Sequence, residues 1–114
     1  MAGEGDEGDM IVEMRSYKIK AGTRAKFVEN MRDKLLPEHK RLGIKYAGPF
    51  VSPDDETVLF WMRGFADEAA HKAMTAQIYG GDVWRKDCAD VLLPILEKYD
   101  VTIVEMPDGA VNWS

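Results

Sequence analysis

The sequence EMRSY at residues 13–17 nearly repeats as WMRGF at residues 61–65. Each copy lies in a segment where apolar and polar residues alternate, which is typical of a β-strand, and a helix-like segment follows each one. The repeat therefore divides the chain into two β-α-β halves. It also puts an arginine at the same position in each half, as Arg15 and Arg63.

The order of the remaining segments predicts an α+β protein with a ferredoxin-like β-α-β-β-α-β fold. Right-handed crossovers then give a four-stranded antiparallel sheet with the first and third strands at its centre. Thr23 and Asp82 are expected to cap helices, Pro37 to kink the first helix near its middle, and the glycine pair at 80–81 to break the second helical region. Strands are expected at residues 10–18, 44–52, 57–64 and 101–106, with helical regions at 24–42 and from about 66 to 95.

Length and composition indicate one globular domain. The chain has 114 residues, of which 46% are hydrophobic and 31% charged, values of an ordinary globular protein. The net charge is −5, but the first nine residues hold four acids and no base, so the rest is close to neutral. We expect a disordered acidic tail at 1–9, a domain at 10–107 and a C-terminal tail at 108–114.

These features also limit the partners and the location of the protein. A nearly neutral body without a basic cluster argues against nucleic acid. No apolar segment approaches the roughly 20 residues of a membrane span, so no membrane partner is expected. The single cysteine, Cys88, cannot form an internal disulfide, and the N-terminal residues do not resemble a signal peptide. The cytoplasm is the expected location.

Motifs for metals and cofactors are missing from the sequence. There is no metal-ligand spacing, no phosphate-binding glycine loop and no nucleophilic triad, so we expect no metal and no cofactor and assign no catalytic residue.

His39 is expected near the end of the first helix, where a cationic imidazole suits the helix dipole. His71 follows Glu68 by three residues, but one such pair is not a metal site, and a solvated helix surface is expected. Cys88 is expected to fill the core.

The strand residues separate into two sets, because successive side chains point to opposite faces of a sheet. The uncharged set, expected beneath the helices, is Val12, Met14, Ser16, Ala47, Val51, Val58, Phe60, Met62, Gly64 and Val104. The mixed set of charged, aromatic and aliphatic residues is Ile11, Glu13, Arg15, Tyr17, Tyr46, Phe50, Leu59, Trp61, Arg63, Val101, Ile103 and Glu105. A monomer rarely exposes so much apolar surface. We therefore expect a homodimer in which a second copy covers the mixed set, forming a dimeric α/β barrel with a cavity between the two sheets.

Three stretches of the chain together resemble NIPSNAP-domain proteins. They are IVEMRSYKIKAGTRAKF at 11–27, LLPEHKRLGIKYAGPFVSPDDETVLFWMRGF at 35–65 and VLLPILEKYDVTIVEM at 91–106. The shared features are a Glu-x-Arg-x-Tyr strand followed by glycine, a Leu-Pro helix ending and a Gly-x-x-x-x-Gly step into a hairpin. The resemblance implies a dimeric α/β barrel. Similar folds include cofactor-free monooxygenases, polyketide cyclases and lactone isomerases, but the family implies no settled reaction and no catalytic residue.

Seven residues of the mixed set form the candidate ligand site. Two interpretations of its arginines stay open: they form an internal ion network with the two glutamates, or they bind a carboxylate or enolate. The three aromatic residues either pack or wall a pocket, and Tyr17 could donate a hydrogen bond to an oxyanion. The seven residues are Glu13, Arg15, Tyr17, Tyr46, Trp61, Arg63 and Glu105.

Three functions are consistent with these expectations. The first is a NIPSNAP-like homodimer of unknown activity that binds a small anionic or aromatic molecule in its cavity. The second is a cofactor-independent monooxygenase, cyclase or isomerase that acts on an enolisable molecule, with Arg15 or Arg63 holding the anion and Tyr17 assisting proton movement. The third is a non-catalytic interaction protein. An open cavity above about 300 Å³ favours a ligand-binding function, and a filled one favours the interaction protein.

Overall fold

The computed structural model describes residues 9–114 and confirms the α+β class and the order of elements. The sheet order is β2-β3-β1-β4, with every neighbouring pair antiparallel, so the first and third strands are central as predicted. The predicted disordered tail lies outside the described residues, except for Asp9, which begins β1. The elements are β1 (Asp9–Ile19), α1 (Arg24–Asn30), α2 (Leu36–Arg41), β2 (Lys45–Val51), β3 (Val58–Phe65), α3 (Glu68–Gly80), α4 (Ala89–Leu92) and β4 (Leu96–Pro107).

Two π-helical turns interrupt the helical regions. The first, Met31–Leu35, joins α1 to α2, and the second, Val83–Cys88, precedes α4. Pro37 lies in the first turn of α2 and has no N–H for a bond to the preceding turn, so regular α-helical bonding is interrupted where the proline predicted it. Among the described residues, none of the helices is long and apolar enough to cross a membrane.

Of the helices within residues 9–114, one has a side-chain N-cap. The Asp67 carboxylate accepts a hydrogen bond from the Ala70 N–H at 2.8 Å and caps α3. The predicted positions of Thr23 and Asp82 are confirmed, since Thr23 immediately precedes α1 and Asp82 immediately precedes the second π-helical turn, but neither side chain makes the cap bond. The Thr23 hydroxyl instead donates a hydrogen bond to the carbonyl of Lys20. Asp82 has helical backbone angles and makes no side-chain cap bond within residues 9–114.

The last strand is longer than its sequence suggests. β4 begins at Leu96, five residues before the predicted start, and Leu96 pairs with Ile19 while Tyr99 pairs with Tyr17. The polar residues of this segment hide the strand pattern, and an edge strand tolerates them because one side of its backbone faces solvent.

A register shift in β2 moves one aromatic ring to the other face. The pairing of β2 with β3 shifts between Ala47 and Phe50, so Phe50 stacks on Phe60 with ring centroids 6.4 Å apart. Phe50 was expected on the face of Tyr46. One irregular step reverses the alternation of every later residue in the strand.

The two faces of the sheet are opposite to the prediction. Tyr17 and Trp61 belong to the main buried core with Phe27 and Met31 of the first helical region, and the rings of Tyr17 and Phe27 lie 5.9 Å apart. The mixed set therefore faces the helices, and the uncharged set forms the outer face. The prediction failed because charge was treated as excluding a face from the core, whereas charged groups can be buried when they pair with one another.

The C-terminal residues cover part of the outer face. The Ser114 N–H donates to the carbonyl of Tyr46 at 2.9 Å, and the Trp113 ring lies over Gly64. A Cβ atom at Gly64 would lie 3.0 Å from Cζ2 of Trp113, so a larger residue here would force the ring to shift outward. The apolar side chains of the outer face that stay partly exposed include Met14, Val58, Phe60, Met62 and Val104.

Candidate functional site

A cavity of about 510 Å³ lies between the sheet and the helices. Its polar wall comes from β1 and β3, and its apolar wall includes the two π-helical turns through Met31, Leu35 and Trp84. The predicted cavity between two sheets is therefore replaced by one within a single chain. Five of the seven candidate residues line it, namely Glu13, Arg15, Tyr17, Trp61 and Arg63.

Glu13 is the centre of the polar wall. Its Oε1 accepts hydrogen bonds of 2.6 Å from Arg15 Nη1 and from Arg63 Nε, while its Oε2 accepts one of 2.7 Å from His71 Nε2. Burial alone would raise the pKa of Glu13. The charge and hydrogen bonds of its partners, above all Arg63, outweigh the burial and lower the pKa to about 2. Glu13 is therefore an ionised carboxylate with three donors.

Arg63 connects the sheet to both helical regions. Beyond its bond to Glu13, its Nη1 lies 3.0 Å from His39 Nε2, and its Nη2 donates to the Tyr79 hydroxyl at 2.9 Å. The side chain is 1% exposed, so its charge depends on these partners. A guanidinium presents several donors in a fixed plane and can hold three groups at once.

His39 is buried and neutral, whereas the sequence predicted a cationic imidazole. Its Nδ1–H donates to the carbonyl of Leu35 at 2.8 Å, and its Nε2 must accept because Arg63 can only donate. Burial lowers the pKa of His39 to about 4. The helix dipole favours a cationic imidazole, but the cost of desolvating that cation in the core is larger.

Arg15 orients the Tyr17 hydroxyl. Arg15 Nε donates to the Tyr17 oxygen at 2.7 Å, and burial raises the pKa of Tyr17, so the phenol keeps its hydrogen. That hydrogen is free for another acceptor, because the oxygen is already used as an acceptor. Two guanidinium groups and one carboxylate give the wall an excess of at least one positive charge.

The two other candidates lie outside the cavity. Glu105 is exposed on the edge strand β4, where it lies across from Ile11. It was expected to supply negative charge to the arginines, but in the described ion pairs both arginines bind Glu13 instead. Tyr46 is partly buried against the core. Among the described residues, Glu13 is the one carboxylate that pairs with the two arginines, so an ion network forms within a single chain, without Glu105 and without a balance of charge.

Sequence reasoning missed the contribution of α3. His71, Thr75 and Tyr79 all line the cavity, and their spacing of four residues would have revealed a common helix face. His71 was expected on a solvated surface, which was wrong. Its side chain is 22% exposed, and its ring lies 4.8 Å from that of Phe65.

The described side chains of the cavity offer hydrogen-bonding and charged groups but no cluster of metal ligands. Between residues 9 and 114, no three His, Cys, Asp or Glu side chains lie close enough together to hold a metal ion. Cys88 belongs to the core as predicted, and burial raises the pKa of its thiol to about 11, so it is not a thiolate at neutral pH. The chemistry that the cavity offers is hydrogen bonding, charge and proton transfer.

Comparison with known proteins gives a consistent result. The sequence matches the family model described as NIPSNAP over residues 12–105. Among solved structures, it is similar to a NIPSNAP family protein from Agrobacterium tumefaciens strain C58, with 22% identity, a TM-score of 0.73, and coverage of 83% of this chain and 90% of that one. An uncharacterized NIPSNAP-like domain protein from Burkholderia xenovorans has 16% identity, a TM-score of 0.76, and coverage of 90% and 89%.

A structure described as a putative antibiotic biosynthesis monooxygenase, from Nitrosomonas europaea, has the same fold at lower similarity. Its identity is 15% and its TM-score 0.62, with coverage of 83% of this chain and 88% of that one. At these identities the likeness shows the fold alone. A search of curated proteins found no match.

Proposed function

The chain belongs to the NIPSNAP family, and we propose that it binds a small organic anion with an apolar or aromatic body in the cavity between its sheet and its helices. The observation that carries the proposal is the unbalanced wall, in which two arginines share the one carboxylate of Glu13. A buried excess of positive charge is costly, and a ligand carboxylate or enolate would offset it. The apolar wall opposite supplies contact for the rest of such a ligand.

The size of the cavity supports binding over a purely structural role. Ligand pockets commonly span about 300–1,000 Å³, and this cavity of about 510 Å³ falls within that range. A protein whose only role was interaction would gain stability by filling this space with side chains, since interiors are otherwise close-packed.

A thermal-shift comparison of benzoate with benzamide tests the proposal. The two probes share a ring but differ in charge, so benzoate at one hundred times its dissociation constant should stabilise the fold by about 2.7 kcal/mol, which raises Tm by roughly 10 °C, while benzamide has little effect. The Arg15→Met variant should lose about tenfold or more in benzoate affinity. The control is Arg32→Met, which removes an exposed arginine and should bind normally.

Equal stabilisation by benzoate and benzamide would contradict the charge argument. No stabilisation by benzoate, phenylacetate or hexanoate would contradict ligand binding itself. A drop in benzoate affinity in Arg32→Met as large as in Arg15→Met would show that general surface charge, not the cavity, attracts the probe.

The proposal includes a homodimer formed through the outer face. This face has no charged side chain at its centre, and Met14, Phe60 and Met62 are only partly covered by the chain itself. Phe50 beside them is 51% exposed. A contiguous apolar surface of this kind marks an interface, and a second copy offers the same flat apolar sheet.

The Met62→Glu variant should convert a dimer into a monomer. A carboxylate at the centre of the interface would be buried without a partner, and we expect dissociation at micromolar concentration. Light scattering after size exclusion measures the mass. The control is Ile103→Glu, which introduces the same charge at a residue that is 53% exposed but lies on the helix-facing side opposite Glu13. A monomeric wild-type protein, or a control that dissociates equally, would refute the proposed interface.

We also place the protein in the cytoplasm. The support is the single cysteine, which is buried in the core and cannot form an internal disulfide, as suits a reducing compartment.

A further inference from the structure

We propose that the cavity abstracts a proton from a carbon next to the carbonyl of an oxo-carboxylate, with His71 as the base and with Tyr17 and Trp61 as donors to the enolate oxygen. This inference rests on the proposed binding of an organic anion and assigns it a reaction. The groups that carry the inference all line the same cavity.

His71 has the arrangement of a general base. Glu13 is an ionised carboxylate and can only accept, so the bond of 2.7 Å between them places the hydrogen of the neutral ring on Nε2 and leaves Nδ1 bare. A carboxylate behind an imidazole fixes the tautomer and stabilises the imidazolium that forms when Nδ1 takes a proton. Glu13 is therefore a positioning residue, and His71 is the catalytic one.

Two donors in the cavity wall still lack an acceptor. The Tyr17 oxygen is occupied by Arg15 Nε, so its O–H hydrogen is free. Trp61 is 1% exposed. Its indole N–H lies near enough to the Tyr17 oxygen to offset part of the rise that burial causes in the pKa of that phenol, but it has no acceptor at hydrogen-bond geometry among residues 9–114. A buried donor without a partner is costly and rare in native proteins. A ligand oxygen in the cavity would satisfy both groups.

The charge of the wall matches the product of the step. When His71 Nδ1 takes the proton, the C–H electron pair becomes part of a new C=C bond, and the carbonyl electrons move onto oxygen. The resulting enolate gains negative charge on the atom that Tyr17 and Trp61 would hold, which is the condition for transition-state stabilisation. If His71 returns a proton to the same carbon, the result is hydrogen exchange. If it delivers the proton to a different carbon, the result is an isomerisation. Neither outcome needs an oxidant or a cofactor.

Hydrogen–deuterium exchange of phenylpyruvate tests this step without knowledge of the natural substrate. Phenylpyruvate is an aromatic monoanion with an enolisable methylene next to its carbonyl, and proton NMR in D₂O follows the loss of the methylene signal. We expect the protein to accelerate the exchange beyond buffer. The His71→Gln variant, whose amide can still bond to Glu13, should reduce the acceleration about a hundredfold or more. The Tyr17→Phe and Trp61→Phe variants should each reduce it roughly tenfold or more.

Controls separate catalysis from binding. Lys72→Gln alters the exposed neighbour of His71 on α3 and should exchange like wild type. In ¹⁵N spectra, phenylpyruvate should shift the indole N–H signal of Trp61, assigned by its loss in Trp61→Phe. This second measurement holds even if the His71 variant fails to fold.

The outcomes distinguish this inference from the binding proposal. If phenylpyruvate binds but exchange in wild type equals that in buffer, or if His71→Gln exchanges as fast as wild type, the base is refuted and the binding proposal stands. If the Trp61 indole signal does not move while the probe binds, the donor assignment is refuted. If phenylpyruvate neither binds nor exchanges and benzoate also fails to bind, both proposals are overturned.

Discussion

Replacing Glu13 with glutamine should lower the free energy of unfolding by about 3–5 kcal/mol, the usual cost of removing one partner of a buried ion pair. The variant keeps the size of the side chain but loses the charge that compensates Arg15 and Arg63. Arg63 is almost fully buried and cannot turn to solvent without unpacking the sheet from the helices. Urea denaturation at pH 7 gives the value.

The matched control for this prediction is Glu38→Gln. Glu38 also bonds to an arginine at 2.6 and 2.7 Å. Its own side chain is 11% exposed, but Arg41 is 68% exposed, so the arginine left by the substitution stays in solvent and the loss should be small. A double variant, Glu13→Leu with Arg63→Met, should be more stable than Glu13→Leu alone, because the more deeply buried of the two arginine charges that lose Glu13 is then removed as well. Similar losses in Glu13→Gln and Glu38→Gln would contradict this account.

Stability should fall by about 2 kcal/mol between pH 7.5 and pH 5 because of His39 alone. Its pKa is about 4 in the folded protein against an ordinary value of 6.5. Between these two values the unfolded chain binds a proton that the folded protein excludes, so acid favours unfolding. The contribution of His39 is complete above pH 6.5 and is lost as the pH falls through this window.

The non-titrating variant His39→Gln isolates this effect. Glutamine can accept from Arg63 and donate to Leu35, as His39 does, so the slope of stability with pH should flatten even if total stability drops. Glu13, with its pKa lowered to about 2 from 4.5, supports the fold above pH 4.5 and loses its contribution only below that value. It does not affect the measured interval. Urea titrations at half-unit steps provide the data, and an unchanged slope in His39→Gln would refute the role of His39.

The architecture was accessible from sequence because local signals and topology rules agreed. The echo around Arg15 and Arg63 placed the two central strands next to each other, and the structure pairs Arg15 with Trp61 across them. The early start of β4 was not accessible, since the residues that follow Leu96 are mostly polar and gain strand structure only by pairing with β1. Pro37 signalled an interruption of the first helical region, but the π-helical form of the two turns was not accessible, because it depends on packing rather than on a local pattern.

The candidate site was predicted only in part, because the sequence did not show which face of the sheet the helices cover. Glu13, Arg15, Tyr17, Trp61 and Arg63 do share a cavity, as the alternation of side chains implied. Alternation defines which residues are neighbours but not which face the helices cover. The partners on α3 decide that question, and the decisive one is His71, which reaches Glu13 across 58 residues of sequence. Such a pairing has no local signal in a single chain.

The length and position of β4 bear on how the protein behaves in concentrated solution. Eleven of its twelve residues pair with β1, and no other strand of residues 9–114 pairs with it, so a row of backbone N–H and C=O groups faces outward beside the exposed side chains of Tyr99 and Ile103. Such an edge can recruit strands from other molecules and start aggregation. The charged residues Lys98 and Asp100, which alternate with the exposed apolar ones, oppose that growth. Colloidal stability in this protein therefore depends on polar residues that contribute nothing to its cavity.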